Sequence, residues 1–165
     1  MDSIVKRITR AVARISDYGG YVAALAVFLI LVLVCTEVFL RTFLRSSTLI
    51  ADEMSGYLNA VVLFLGLAYT LKEGGFIRVE LVYVRLRGSL GLAVKWLITL
   101  SSLAYVGIVI VYMWKHIAYS YAFNVTSTDV TETPLYIPQF LMWMGAVILG
   151  LQLLVYVLNR MRNLP

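Results

Sequence analysis

The sequence predicts an all-α integral membrane protein of four transmembrane helices, and three observations carry that prediction. Of its 165 residues 61% are hydrophobic and only 14% charged, whereas a soluble domain of this size is nearer 45–50% apolar and about 25% charged. The apolar residues fall in four uncharged runs, 18–36, 54–71, 96–114 and 137–158, and the mean hydropathy is +0.87. Each run approaches the roughly 20 residues needed to cross a hydrocarbon core about 30 Å thick. In lipid the backbone has no partner but itself, so each run is read as a helix. The spans are placed at about 18–40, 53–72, 92–116 and 137–159, in a single membrane domain covering 1–165.

The cations then orient the chain. Lys6, Arg7, Arg10 and Arg14 precede the first span, and Arg41 and Arg45 follow it. Lys72, Arg78, Arg85, Arg87 and Lys95 lie around the link between spans two and three. Lys115 follows span three, and Arg160 and Arg162 follow span four. Alternate sides therefore carry 11 and 3 of the 14 cations. By the positive-inside rule both termini face the cytoplasm. This asymmetry accounts for the net charge of +5 and leaves no need for a nucleic-acid partner.

Residues 1–17 are partly amphipathic and are expected at the inner surface, where anionic lipid attracts each cation by about 1 kcal/mol. The uncharged stretch that follows is too long for a signal peptide and has no small-x-small cleavage site, so it is read as a retained helix. The first link is short, with Ser46 and Ser47 breaking it and Asp52 and Glu53 opening span two, where the helix dipole favours acids. The second link opens on a Gly74-Gly75 break. Plotted as a helix it sets Arg78 and Arg85 on one stripe and Glu80 and Arg87 nearly opposite. A short interfacial helix is expected there, one side meeting water and the other a partner or headgroups, with an extended segment as the alternative. The third link, Lys115 to Tyr136, is rich in turn and cap formers, and Pro138 suits the first turn of span four.

Chemistry-bearing residues are few. One cysteine (Cys35) and one histidine (His116) cannot build a zinc, iron–sulfur or bis-histidine haem site within one chain. No phosphate loop or hydrolase elbow occurs. No catalytic, substrate-binding or metal residue is therefore assigned, no cofactor is expected, and the chain is read as no enzyme.

Glu37 is the notable intramembrane carboxylate, and such groups are functional candidates. Arg41 follows one turn later in the favourable acid-before-base order, so the pair reads first as structural and second as a coupling-ion site. Asn59, Ser101, Ser102 and Gln152 stand out among the remaining polar groups in the spans, too few for a translocation path. Aromatic residues, among them Trp96, Trp114, Tyr136 and Trp143, mark the interfaces. Small pairs at a spacing of four (Gly20 and Ala24, Gly56 and Ala60, Ala146 and Gly150) offer close helix contacts.

Several ordered segments carry a family resemblance. Glu37-Val38-Phe39-Leu40-Arg41 closes span one, and Asp52-Glu53-Met54-Ser55-Gly56-Tyr57-Leu58 opens span two, with Phe64-Leu65-Gly66-Leu67-Ala68 inside it. Lys72-Glu73-Gly74-Gly75-Phe76-Ile77-Arg78-Val79-Glu80 follows, and Thr133-Pro134-Leu135-Tyr136-Ile137-Pro138 precedes span four. In order and spacing, from about residue 20 to 158, the chain resembles the small four-helix (Q-type) subunit of tripartite ATP-independent periplasmic (TRAP) transporters. One departure is Phe76, where many members carry histidine.

The resemblance implies a scaffold in the bacterial inner membrane that braces a large multi-span transport subunit. That subunit would hold the sites for sodium and an organic acid, and a periplasmic substrate-binding protein would dock on the complex. Glu37, Arg41, Glu53, Gly56, Ala60, Arg78 and Arg85 are the candidate structural or subunit-interface residues, and membrane lipids the remaining partner. The alternative from another class is an autonomous homodimeric proton-coupled exporter using Glu37.

Overall fold

The computed structural model describes residues 2–75, 89–129 and 131–162. They form four helices: α1 Asp2–Phe43, α2 Ala51–Lys72, α3 Ser89–Ala122 and α4 Tyr136–Arg162. All four are long and apolar enough to cross a membrane, so the chain is an all-helical, multi-pass membrane protein. The expected interfacial helix of the second link, with Arg78, Arg85 and Phe76, lies outside the described residues.

Helix α1 runs unbroken through its 42 residues, a length of about 63 Å, twice the hydrocarbon thickness. The stretch expected at the inner surface is thus a direct continuation of the first span. The sequence has no proline to stop it, and its two glycines are taken up by packing. Gly19 faces Leu65, where an added Cβ would lie 3.6 Å from the carbonyl oxygen, and Gly20 faces the Tyr69 ring at 2.8 Å.

The helix ends obey local rules. Gly74, at φ 72°, closes α2, with the Gly75 amide donating to the Thr70 carbonyl and the Gly74 amide to Leu71. Asn124, at φ 47°, closes α3 in the same way, with Val125 donating to Ser120 and Asn124 to Tyr121. Both are left-handed C-terminal caps that satisfy otherwise orphaned carbonyls, and glycine and asparagine are the residues that tolerate that conformation.

Packing sets a lateral order that differs from chain order. Helix α1 packs on α2, α2 on α4, and α1 also touches α4, while α3 packs on α4. Thus α2 and α3, consecutive in the chain, are both neighbours of α4. The core is Ala23 and Ala26 of α1, Val61, Leu65, Ala68 and Leu71 of α2, Val106 of α3, and Ile148, Leu149 and Leu153 of α4. Three of these ten are alanines, and Gly19, Gly145 and Gly150 are buried beside them, as expected where lipid tails remove the hydrophobic drive and close packing must hold helices together. Gly145 marks the tightest crossing: a Cβ there would lie 2.8 Å from the Phe64 backbone carbon. Of the three small pairs read from sequence, Ala146 and Gly150 are both packed inside, with Gly150 against Val106 and Ile110. Gly20 is packed while Ala24 is exposed, and Gly56 has open space around it.

Candidate functional site

The polar side chains gather at the two ends of the bundle and act as clasps. At one end Glu37, only 5% exposed near the close of α1, accepts four hydrogen bonds. Arg41 Nε donates to its Oε1 at 2.7 Å and the Thr48 amide to its Oε2 at 3.1 Å; the Ser47 and Thr48 hydroxyls complete the set. Arg41 also reaches Asp52 of α2 at 3.2 Å. The acid-before-base spacing sets the first contact, and the loop then folds back so that its hydroxyls meet the same carboxylate. Two non-glycine residues of that loop, Arg45 (φ 48°) and Leu49 (φ 58°), adopt the left-handed conformation. Such residues persist only when their surroundings over-determine them, and the Glu37 carboxylate supplies that determination.

Glu53 forms a second clasp at the same end. It is 8% exposed and accepts from the Tyr57 hydroxyl at 2.8 Å and from the Thr131 hydroxyl, which in turn sits 2.8 Å from that of Thr133. The loop between α3 and α4 is closed on itself by Ser127 donating to Thr133 and Leu135 to Val125. Glu53 therefore ties that loop to the start of α2, 78 residues away in sequence.

The opposite end is held by Lys72 of α2, which donates to Asp17 of α1 and to its neighbour Glu73. Beside it Ser16, wholly buried, donates to Gln152 of α4 at 3.5 Å. On α1, Asp17 and Glu37 stand 20 residues apart, about 30 Å of helix, which equals the hydrocarbon thickness. Glu53 and Lys72 of α2 are separated by nearly the same rise. The clasps at the two ends are thus separated by about one hydrocarbon thickness.

The sequence-predicted residues take distinct places. Glu37 and Arg41 meet as an ion pair. Glu53 points inward to the loop, apart from Gly56 and Ala60. Gly56 is exposed and Ala60 half-buried. Arg78 and Arg85 lie outside the described residues. The outward face of α2, opposite its buried Val61, Leu65 and Ala68, carries Gly56, Asn59, Leu63, Gly66 and Thr70, within about 60° of one direction at 100° per residue. Ser16, Asp17, Ser47, Thr48 and Thr131 were missed by sequence reasoning, because their partners lie 10 to 136 residues away.

The four polar donors around Glu37 give a direct expectation. In Glu37→Gln the amide loses the charge-assisted bond to Arg41 and presents an N–H to groups that are themselves donors, so the 44–50 loop should loosen. Faster proteolysis or hydrogen exchange in that loop, by several-fold, is the expected readout. Arg41→Gln should act the same way more mildly, because it leaves the hydroxyl donors in place. Intact loop protection in Glu37→Gln, combined with lost ion-coupled transport in an assembled complex, would show a functional carboxylate instead.

Comparison with known families matches residues 30–163 to the model of the DctQ component of tripartite ATP-independent periplasmic transporters. No curated protein and no solved structure matches the chain.

Proposed function

The chain belongs to the DctQ component family of tripartite ATP-independent periplasmic transporters, and from that premise we propose that it is the fixed scaffold of a sodium-coupled organic-acid importer in the bacterial inner membrane. It braces the large transport subunit, while a periplasmic binding protein delivers the acid to the complex. The family is one of transporter components rather than enzymes.

One observation carries the scaffold reading. Secondary transporters bind substrate and coupling ion near the bilayer midplane, among polar groups and unwound helix ends. Among the described residues, the buried polar side chains of this chain are Ser16, Glu37, Glu53, Ser120 and Gln152, and they stand toward the ends of the bundle. Ser102, nearer the middle of α3, donates to the Ile98 carbonyl of its own helix at 2.8 Å. The middle of the bundle is small apolar core. Such an interior holds helices at fixed distances and offers no path for a carboxylate. The same geometry weighs against the proton-coupled exporter, since the Glu37 carboxylate is already filled by hydrogen-bond donors.

The outward face of α2 is the proposed partner surface. Gly56 lets a facing helix approach to backbone distance, and Asn59 offers an interhelical hydrogen bond beside Leu63. Ala60 flanks this face. Arg78 and Arg85 are proposed to add contacts at the cytoplasmic edge. Uptake by membranes holding the large subunit and the binding protein, with this chain deleted, tests the role: uptake should be lost, and normal uptake would refute it.

We further propose that both termini are cytoplasmic. A thiol at Thr128→Cys, in the exposed part of the α3–α4 loop, with Cys35 replaced by serine, should react with an impermeant reagent added from the periplasmic side. Labelling from the cytoplasmic side alone would reverse the orientation.

A further inference from the structure

Neither the core nor the clasps use the first turns of α1. There Lys6, Arg7, Arg10 and Arg14 are all exposed, and none of them is paired with an acid whose side chain is described. Asp17, at the inner end of this stretch, is held by Lys72. Their direction is informative. The packed face of this half of α1 is Val12, Ser16, Gly19, Ala23 and Ala26. At 100° per residue, Arg7, Arg10, Arg14, Tyr18 and Tyr21 centre on the line opposite, about 180° away. Tyr18 is 71% and Tyr21 72% exposed, and the same line continues through exposed Leu25, Phe28 and Val32. From the terminus inward this one face therefore reads cationic, then phenolic, then wholly apolar.

We infer that this face of α1 is a docking stripe for anionic phospholipid. Arg10 and Arg14 meet the headgroup phosphate, Tyr18 and Tyr21 stand at the glycerol level, and Leu25, Phe28 and Val32 line the acyl chain. The axial distances fit. With Asp17 at the edge of the hydrocarbon, Arg14 lies about 4.5 Å and Arg10 about 10 Å beyond it, and the headgroup layer on each side is about 5–8 Å thick. Arg10 stands roughly 2–5 Å outside that layer, a gap that its long flexible side chain spans. Arg7 and Lys6 lie farther out, where an anionic surface still attracts them within the Debye length of about 8 Å. Tyrosine at this depth keeps its ring in the apolar boundary and its hydroxyl in the polar one.

The pattern also favours lipid over a protein partner. A protein-binding patch has no reason to change from cationic to phenolic to wholly apolar in the order of a bilayer's own layers. The stripe acts as an anchor that fixes the depth and tilt of α1, and through Ser16–Gln152 and Asp17–Lys72 those of the bundle. Only the identity of the leaflet rests on the proposed orientation.

The test is lipid retention by the full chain in detergent carrying equimolar phosphatidylglycerol and phosphatidylcholine, with retained lipid measured by mass spectrometry. Micelles have no sides, so the result does not depend on which way the chain inserts. The wild type should retain phosphatidylglycerol over phosphatidylcholine by at least about fivefold, the factor that about 1 kcal/mol per cation gives. Arg10→Gln with Arg14→Gln should bring the ratio close to that of the mixture, whereas Arg10→Lys with Arg14→Lys should keep most of the preference. Lys115→Gln, at the other end of the bundle, should leave it unchanged. A wild type that retains both lipids equally would show a merely solvated face and overturn the inference. So would enrichment that survives Arg10→Gln with Arg14→Gln. Loss of the large subunit from that double variant in pure phosphatidylcholine would overturn it in favour of an acidic protein partner.

Discussion

Gly145→Leu is expected to separate α2 from α4 and to cost the chain its folded bundle. An added Cβ at this position would lie 2.8 Å from the Phe64 carbonyl carbon and Cβ and 3.0 Å from the Leu65 amide nitrogen. Two of those three atoms are backbone, which no rotamer change can move. Overpacking a well-filled core costs about 1–3 kcal/mol even where side chains can give way, so the whole leucine side chain should exceed that range. The consequence spreads, since α4 also carries the contacts to α3 and, through Gln152, to α1. Thermal unfolding in detergent is the measurement, with size-exclusion behaviour beside it. Gly107→Leu on α3 is the control, because a Cβ there meets nothing within 4 Å, and it should unfold with the wild type. A Gly145→Leu chain as stable as the wild type would show that the α2–α4 contact is not what holds the bundle.

The position of Gly145 also shows what sequence can and cannot reveal. The spans were legible, because charge-free runs of about 20 residues have few other readings in a chain this apolar. The Glu37–Arg41 pair was legible as well, since both partners lie on one helix at a spacing that fixes their separation. The lateral order was not. Nothing in the charge or apolar pattern states that α4 lies between α2 and α3, and so nothing identified which small residues would meet another backbone. Gly145 went unnoticed beside the Ala146 and Gly150 pair for that reason. Asp17 and Lys72 are 55 residues apart, and each reads alone as an ordinary interfacial charge. Glu53 was legible as a helix-opening acid but not as the acceptor for Thr131, because a loop without periodicity gives no register. The surface of α2 shifted on the same account. Glu53, Gly56 and Ala60 lie within one broad arc of the helix, yet the inward turn of Glu53 moves the free face to Gly56, Asn59 and Leu63.

That free face carries the second large effect, which is functional rather than structural. Gly56→Leu should leave the isolated chain as stable as the wild type, because a Cβ at this position meets nothing within 4 Å. The same change should expel the chain from the complex. Without a hydrophobic drive between helices, association in lipid depends on backbone approach and a few polar contacts. At the proposed partner surface a leucine would hold the facing helix off and keep the Asn59 amide from any acceptor on it. Co-purification with the large subunit should therefore fall to background, and uptake with the binding protein present should be abolished. Asn59→Leu should weaken assembly less, since membrane hydrogen bonds average about 0.6 kcal/mol by double-mutant cycles. Ala60→Leu, on the flank of the face, should also dissociate the chain from the permease and abolish uptake, though as a half-buried position its own stability must be checked alongside. The contrast with Gly145→Leu separates the two roles proposed for glycine in this chain, since one variant should lose the fold and the other only the partner. If Gly56→Leu retains full assembly and uptake, the partner meets the chain elsewhere, and the exposed apolar sides of α3 become the surface to probe next.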